Sequence, residues 1–459
     1  MTKRAKVIIP IVVTVIIISI ISAMLLLRSK EAAKLYIIDN AGNTLAVLSD
    51  ETKYENDGYK AYVDAVLPEA AKIVADIKKI DVSDAENVLK TKGYSIQTVF
   101  DRQTFEACET AYALSVLEDV PFATAVTDME GKLLCAYSQS AQNECVNYAI
   151  KNTAPYSALK PLSVYAPAIE KNIFSWSTTL EDSPIKKVQS ENGILVDWPA
   201  NADGKYMNEN VSLCDGIKLS LNTIAVRALL SLGVDQSMQF LRSNFDIDLT
   251  REESVISIVG EDEVLANFGL GYLYEGVSPI DMAGYYQIFA NSGKYIKPYT
   301  VEKITDLKGR VIYEHISDGA KQVVSEETAY IMNKLLQNTL SVGGTAEKAK
   351  FEDILIGGKT GTGSGYIGNW FVGFTPEYSC AVWHGEDRVH HNTCAEIFST
   401  LVSNLNIDKY KTFPENSNVK QIPFCADSGK MLTMNCEKMG VGYYKSSFVL
   451  EKCDGHESE

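Results

Sequence analysis

The hydrophobic pattern opens with a charge-free run from Val7 to Leu27, 21 residues long. As a helix with 1.5 Å of rise per residue it reaches about 31 Å, enough to cross a hydrocarbon core of roughly 30 Å. Lys3, Arg4 and Lys6 precede it, so the positive-inside rule expects a cytoplasmic N-terminus and an extracytoplasmic remainder; Arg28 and Lys30 weaken that asymmetry. A cleavable signal carries a shorter apolar region ending at small residues. Here Ala23 is followed by Met24 and three leucines, which favours an uncleaved anchor.

Beyond the anchor, apolar runs from Leu35 to Leu48 flank an Asn-Ala-Gly-Asn turn and predict a hairpin. Val63, Val66, Leu67, Ala70, Ile73, Val74 and Ile77 fall at helical spacing within Tyr59–Ile80, with Pro68 expected to break the helix. Strand character follows at Tyr94–Phe100 and Ala123–Tyr137, the second split by Asp128-Met-Glu-Gly131. Helical spacing dominates from about 155 to 350, notably at Thr223–Leu232 and Thr328–Leu340. Strand character returns from Ile354 to Trp383. Strands at both ends of a helical middle predict an α+β fold with one sheet built from distant segments. The expected divisions are 1–35 (cytoplasmic N-terminus and anchor), 36–91 (small pedestal), 92–405 (main domain) and 406–459 (cysteine-containing tail).

Composition narrows the function classes. Hydrophobic residues make up 46% of the 459-residue chain and charged residues 22%, a globular balance. The net charge of −16 argues against nucleic acid, whose phosphates are bound by clustered Lys and Arg. Only five histidines are present and none forms HExxH, so zinc hydrolase chemistry is not expected. His384, His390 and His391 are expected on a solvated loop. All nine cysteines follow the anchor, an odd number without a Cys-x-x-Cys. Cys135–Cys145 and Cys425–Cys436 stand as disulfide candidates against buried free thiols, and Cys214 is expected to be packed rather than nucleophilic.

The chemistry concentrates around Ile356-Gly-Gly-Lys-Thr-Gly-Thr-Gly363. A P-loop needs G-x-x-x-x-G-K-[ST], and Asp353 occupies the place of its first glycine. What remains is Lys359-Thr360-Gly361-Thr362 on a strand, Lys359 and Gly361 on one face and the threonines on the other. A cation beside hydroxyls, with a glycine allowing close approach, suits a carboxylate ligand. Ser157 and Lys160 form a Ser-x-x-Lys, which on a helix shares one face, and an amine of lowered pKa can serve as base to such a hydroxyl. Ser183/Lys186 and Ser417/Lys420 repeat that spacing, but only Ser157 is followed by an apolar stretch. Ser220 and Asn222 make a Ser-x-Asn ahead of an apolar helix.

This ordered set of Ser-x-x-Lys, Ser-x-Asn and Lys-Thr-Gly is a known signature of penicillin-binding proteins and class A β-lactamases. The chain resembles the penicillin-binding transpeptidase domain, most of all that of bifunctional class A proteins. Gly93–Asp101, Asn147-Tyr-Ala, Trp198-Pro-Ala-Asn201, Ser212–Leu232, Tyr274–Ala283, Phe289–Gly293 and Asn369–Pro376 extend the likeness over about residues 60 to 400. Three departures stand out. Tyr156 precedes the serine where the family usually has glycine, and Asn369 replaces a usual Asp. The family's glycosyltransferase domain is not expected, since only about thirty residues separate the anchor from the first family-like helix.

The resemblance implies an antiparallel sheet flanked by helices behind a single transmembrane helix. It implies that Ser157 attacks the penultimate D-Ala carbonyl of a peptidoglycan stem peptide and becomes acylated, with Lys160 as base and Ser220 relaying a proton to the leaving amine. Asn222 would hold the substrate amide; Lys359, Thr360, Gly361 and Thr362 would form the carboxylate site, and the N–H groups of Ser157 and Thr362 the oxyanion hole. β-Lactams would inhibit, a separate glycosyltransferase would be a partner, and no metal or organic cofactor is implied. A D,D-carboxypeptidase, a β-lactamase and a non-catalytic binder of cell-wall peptides are the alternatives. Against the β-lactamase, Glu-x-x-Leu-Asn is missing; Glu263-Val-Leu-Ala-Asn267 is off by one and reads as an ordinary helix. The tyrosines 272, 274, 285 and 286 read as core and groove lining.

Overall fold

The computed structural model describes residues 34–455 apart from 50–51, 116, 118, 142–144, 191, 260, 318, 364–367 and 386–392. The apolar run 7–27 therefore lies outside the described residues, among which no helix is long and apolar enough to cross a membrane. The chain forms two compact units, one built from the chain up to Thr98 with Val301–His315, the other from Val99–Thr300 with Ile316–Glu459.

In the first unit, Leu35–Ile38 and Thr44–Leu48 pair antiparallel as the expected hairpin. Asp39 shapes its turn, Oδ1 accepting from the N–H groups of Ala41 at 3.0 Å and Asn43 at 2.7 Å. A six-stranded sheet grows around the hairpin, taking in Ser95–Thr98 and the later strands Val301–Thr305 and Val311–Glu314. The expected break at Pro68 is not found, since one helix runs from Lys60 to Lys78 with the proline inside it. Pro68 lies on the exposed face of this helix, while Tyr62, Val63, Val66, Ala70 and Val74 stay buried.

The second unit is centred on a five-stranded antiparallel sheet in the spatial order Gly357–Thr362, Asn369–Phe374, Tyr378–His384, Phe122–Asp128, Leu133–Gln139. Period-two alternation sends Phe371 and Phe374 to opposite faces. Phe371 meets Phe398 of the helix Thr393–Asn404 at 4.7 Å between ring centroids, and Phe374 meets Phe289 of the helix Pro279–Ala290 at 6.2 Å. The sheet is thus built from distant segments, as the α+β reading expects, and covered by helices on both faces, as the resemblance implies. Lys359 and Gly361 pair with Val372 and Trp370, on the Pro279–Ala290 face. That face carries a helical layer in which the helices Asn222–Leu232 and Val234–Phe245 pack against the segment 156–170.

Candidate active site

Ser157 sits in a tight 3₁₀ turn, Tyr156–Ala158, followed by a wide π-type stretch, Pro161–Tyr165, and a short α-helix, Ala166–Glu170. The regular helix expected here does not form. In an α-helix the N–H of residue 161 would bond the Ser157 carbonyl, and Pro161 has none. Tyr156 lies at φ +48°, the left-handed region that disfavours side chains with a Cβ. Neighbouring segments hold the turn. Trp370 Nε1 donates to the Ala154 carbonyl at 2.9 Å, and the Tyr286 hydroxyl donates to the Ala158 carbonyl at 2.5 Å. A Cβ on Gly361 would lie 2.5 Å from the Pro155 carbonyl oxygen and 3.1 Å from Ala158 N. The glycine of Lys-Thr-Gly is what lets that strand close on the nucleophile turn.

Two lysines far apart in sequence converge on the Ser-x-Asn pair. Lys160 Nζ donates to Asn222 Oδ1 at 2.6 Å, and Lys359 Nζ donates to Ser220 Oγ at 2.7 Å and to the Thr360 carbonyl at 3.2 Å. Both lysines are fully buried. Burial pulls the Lys160 ammonium down to about 7. Burial and the nearby Lys160 charge hold Lys359 well below its usual range. Ser157 is half-buried at the mouth, Thr360 half-buried, and Thr362 exposed at the strand's outer end. The structure thus brings the lysine, serine and asparagine of the three motifs into contact, with Gly361 against the turn that carries Ser157.

A supporting network was not foreseen. The buried Asp182 accepts from Thr223 Oγ1 at 2.5 Å, Asn201 Nδ2 at 2.8 Å and Met207 N–H at 2.8 Å. Asn201 Oδ1 in turn accepts from the N–H groups of Asn222 at 2.9 Å and Thr223 at 3.4 Å. The Asn222 side chain is pinned further by donating from Nδ2 to the Ala200 carbonyl at 2.7 Å. In the sequence Trp198-Pro-Ala-Asn201 stands out only as a likeness, and Asp182 belongs to no motif.

The remaining candidates resolve as follows. His384 is fully buried at the end of a central strand rather than on a solvated loop, and His390 and His391 lie outside the described residues. Cys214 is buried beside Asn338, and burial pushes its thiol up, away from nucleophile behaviour. None of the nine cysteines is joined in a disulfide, so neither candidate pairing is formed. Tyr285 and Tyr286 are core residues. Tyr272 stands 6.2 Å from the Tyr156 ring, beside the mouth. Asn267 lies in the helix Glu261–Gly269 and donates to the Tyr274 hydroxyl at 2.9 Å.

The sequence profile of the penicillin-binding protein transpeptidase domain matches residues 122–390, a span that holds all three motifs. The chain is similar to penicillin-binding protein 1A of Clostridium acetobutylicum, 29% identical over 329 residues that cover 68% of this chain and 39% of that protein. It therefore spans well under half the length of that curated relative. Among solved structures it is similar to penicillin-binding protein 1A of Haemophilus influenzae, with a TM-score of 0.66 at 17% identity, covering 88% of this chain and 78% of that one. It is also similar to the PonA1 protein of Mycobacterium tuberculosis in complex with penicillin V, with a TM-score of 0.62 at 20% identity, covering 79% and 97%. At these identities the structural likeness speaks for the fold.

Proposed function

The chain belongs to the penicillin-binding protein transpeptidase family, and from that premise we propose that it is a membrane-anchored D,D-transpeptidase that cross-links peptidoglycan stem peptides through an acyl-enzyme on Ser157. The anchor in this reading is the run 7–27, with the catalytic domain outside the cytoplasm. The observation that carries the proposal is the buried pair Lys160 and Lys359, each bonded to one residue of the Ser-x-Asn pair, with the half-buried Ser157 three residues before Lys160.

Two buried ammonium groups this close are one proton too many. A substrate carboxylate at Lys359, Thr360, Gly361 and Thr362 stabilises charge on Lys359. That charge in turn keeps Lys160 neutral, the form that accepts a proton. Ser157 Oγ then attacks the carbonyl carbon of the penultimate D-Ala as its proton passes to Lys160 Nζ. The tetrahedral oxyanion lies against the N–H groups of Ser157 and Thr362. Collapse breaks the C–N bond, Ser220 relays the proton that Lys160 took to the departing D-alanine amine, and an ester on Ser157 remains with Lys160 neutral again. An acceptor amine completes the cross-link, whereas water would make the protein a carboxypeptidase. Asn222, fixed by Asn201 and Ala200, holds the substrate amide. A β-lactam enters the same path but keeps its leaving nitrogen tethered, which explains inhibition; the related PonA1 protein has been solved with penicillin V.

The test is intact-mass spectrometry after incubation with benzylpenicillin. A lasting penicilloyl adduct on Ser157, absent from Ser157→Ala, is the expected result. Rapid drug turnover without an adduct would transfer the protein to the β-lactamases. Absence of any reaction in folded protein would leave a non-catalytic binder.

A further inference from the structure

The C-terminal segment is a hairpin, Val419–Cys425 paired antiparallel with Met439–Lys445. A two-stranded hairpin alone is marginal in water, and this one rests on the catalytic body, where Tyr443 meets Trp176 at 5.1 Å and Tyr330 at 6.0 Å between ring centroids. The Sγ atoms of Cys425, Cys436 and Cys453 all lie within 4.8 Å of one another. We propose that these three cysteines bind a zinc ion as thiolates and that the metal ties together the hairpin and the segment that follows it.

A disulfide uses two sulfurs and would leave the third stranded, whereas three converging sulfurs suit a common ligand. Zn–S bonds of about 2.3 Å in a tetrahedral site put the sulfurs about 3.8 Å apart, within the observed spread. Soft thiolates select zinc over the hard cations magnesium and calcium. The backbone already seats each ligand. A tight turn carries Cys425, whose N–H donates to the Lys430 carbonyl at 2.8 Å while Gly429 N–H donates to the Cys425 carbonyl at 2.8 Å. Cys436 N–H donates to the Thr433 carbonyl at 3.2 Å, and Cys453 N–H to the Met431 carbonyl at 3.0 Å. Donors also aim at the sulfurs: Thr433 N–H at Cys436 Sγ, 3.4 Å, and Ser428 Oγ at Cys453 Sγ, 3.3 Å. Such outer partners orient metal ligands. No Cys-x-x-Cys announced the site, because its ligands are spread along the whole tail.

The cluster also connects to the chemistry. Ser177 Oγ donates to the Gly429 carbonyl at 2.5 Å in the turn after Cys425, and Gly429, at φ +69°, leaves no room for a Cβ, which would lie 2.1 Å from the Ser177 carbonyl oxygen. Ser177 leads into the strand Thr179–Glu181 and so to Asp182, the centre of the network behind Asn222. Lys445 Nζ donates to the carbonyls of Ile169 at 3.0 Å and Glu170 at 3.2 Å, where the nucleophile segment ends. Metal in the hairpin therefore stiffens the backs of two motif-bearing segments.

Elemental mass spectrometry on the full chain, purified without chelator, tests this together with cobalt(II) exchange. We expect about one zinc per chain, a thiolate-to-cobalt charge-transfer band, and a loss of zinc of roughly tenfold or more in Cys436→Ser. Cys145→Ser, an exposed cysteine elsewhere, should keep its zinc. Should Cys436→Ser fail to fold, the cobalt spectrum of the unmodified chain decides. After chelation, limited proteolysis should cut the tail faster. Metal-free protein with three freely titrating thiols, an intact mass about 2 Da low from a disulfide among the three, or tail cleavage unchanged by chelation would each overturn the proposal.

Discussion

The helices that support the sheet and the segments that carry the chemistry begin in opposite ways. Pro279–Ala290 starts with a full capping box, Ser278 Oγ accepting from Asp281 N–H and Asp281 returning the bond to Ser278 N–H, with proline in the first turn. Glu326–Asn338 starts with Ser325 accepting from Thr328 N–H and acids at its head. Neither Ser157 nor Ser220 is used as a cap. Tyr156 and Ser220 instead hold left-handed backbone at φ +48° and +57°. The helix after Ser220 has its first N–H groups capped from outside, by Asn201. Supporting helices satisfy themselves locally, while the catalytic segments break local rules and rely on distant partners, leaving the two serine hydroxyls available.

The sharpest way to break this contrast is at Lys160. Lys160→Met keeps the volume and removes the amine, so labelling by a fluorescent penicillin should slow by about 10²–10⁴ with the fold intact by circular dichroism. Asp182→Ala comes next. It strands the donors of Thr223, Asn201 and Met207 and should cost about 3 kcal/mol in urea unfolding, slowing acylation through a loosened Asn222. A smaller effect separates Tyr156→Gly from Tyr156→Ala. Both lose the ring, so the glycine variant should be more stable by about 1–2 kcal/mol, the cost of a Cβ in left-handed backbone. Smallest is Ser278→Ala, which should lower stability by about 1 kcal/mol and leave acylation unchanged.

Much of the scaffold was legible because it obeys local rules. The strands of the central sheet and the helices Asn222–Leu232 and Glu326–Asn338 follow apolar periodicity closely. The motif residues were legible as a set, since the order of Ser-x-x-Lys, Ser-x-Asn and Lys-Thr-Gly is far more specific than any member. Three features stayed hidden for physical reasons. Pro68 sits on the exposed face of a helix whose other face is buried, and that packing, which local sequence does not encode, carries the helix through the proline. Asp182 acts through hydrogen bonds to residues distant in sequence, which no local pattern encodes. The strands Val301–Thr305 and Val311–Glu314 return to the first unit's sheet by long-range pairing alone.

The most direct measurement is the pH dependence of acylation by a fluorescent penicillin, from about pH 5 to about pH 9. Burial holds Lys160 at about 7, and only its neutral form accepts the Ser157 proton. The rate should therefore rise about tenfold per pH unit below about 7 and then level off, with the rise missing from Lys160→Met. A rate flat through that window, or a rise unchanged in Lys160→Met, would contradict Lys160 as the base that activates Ser157.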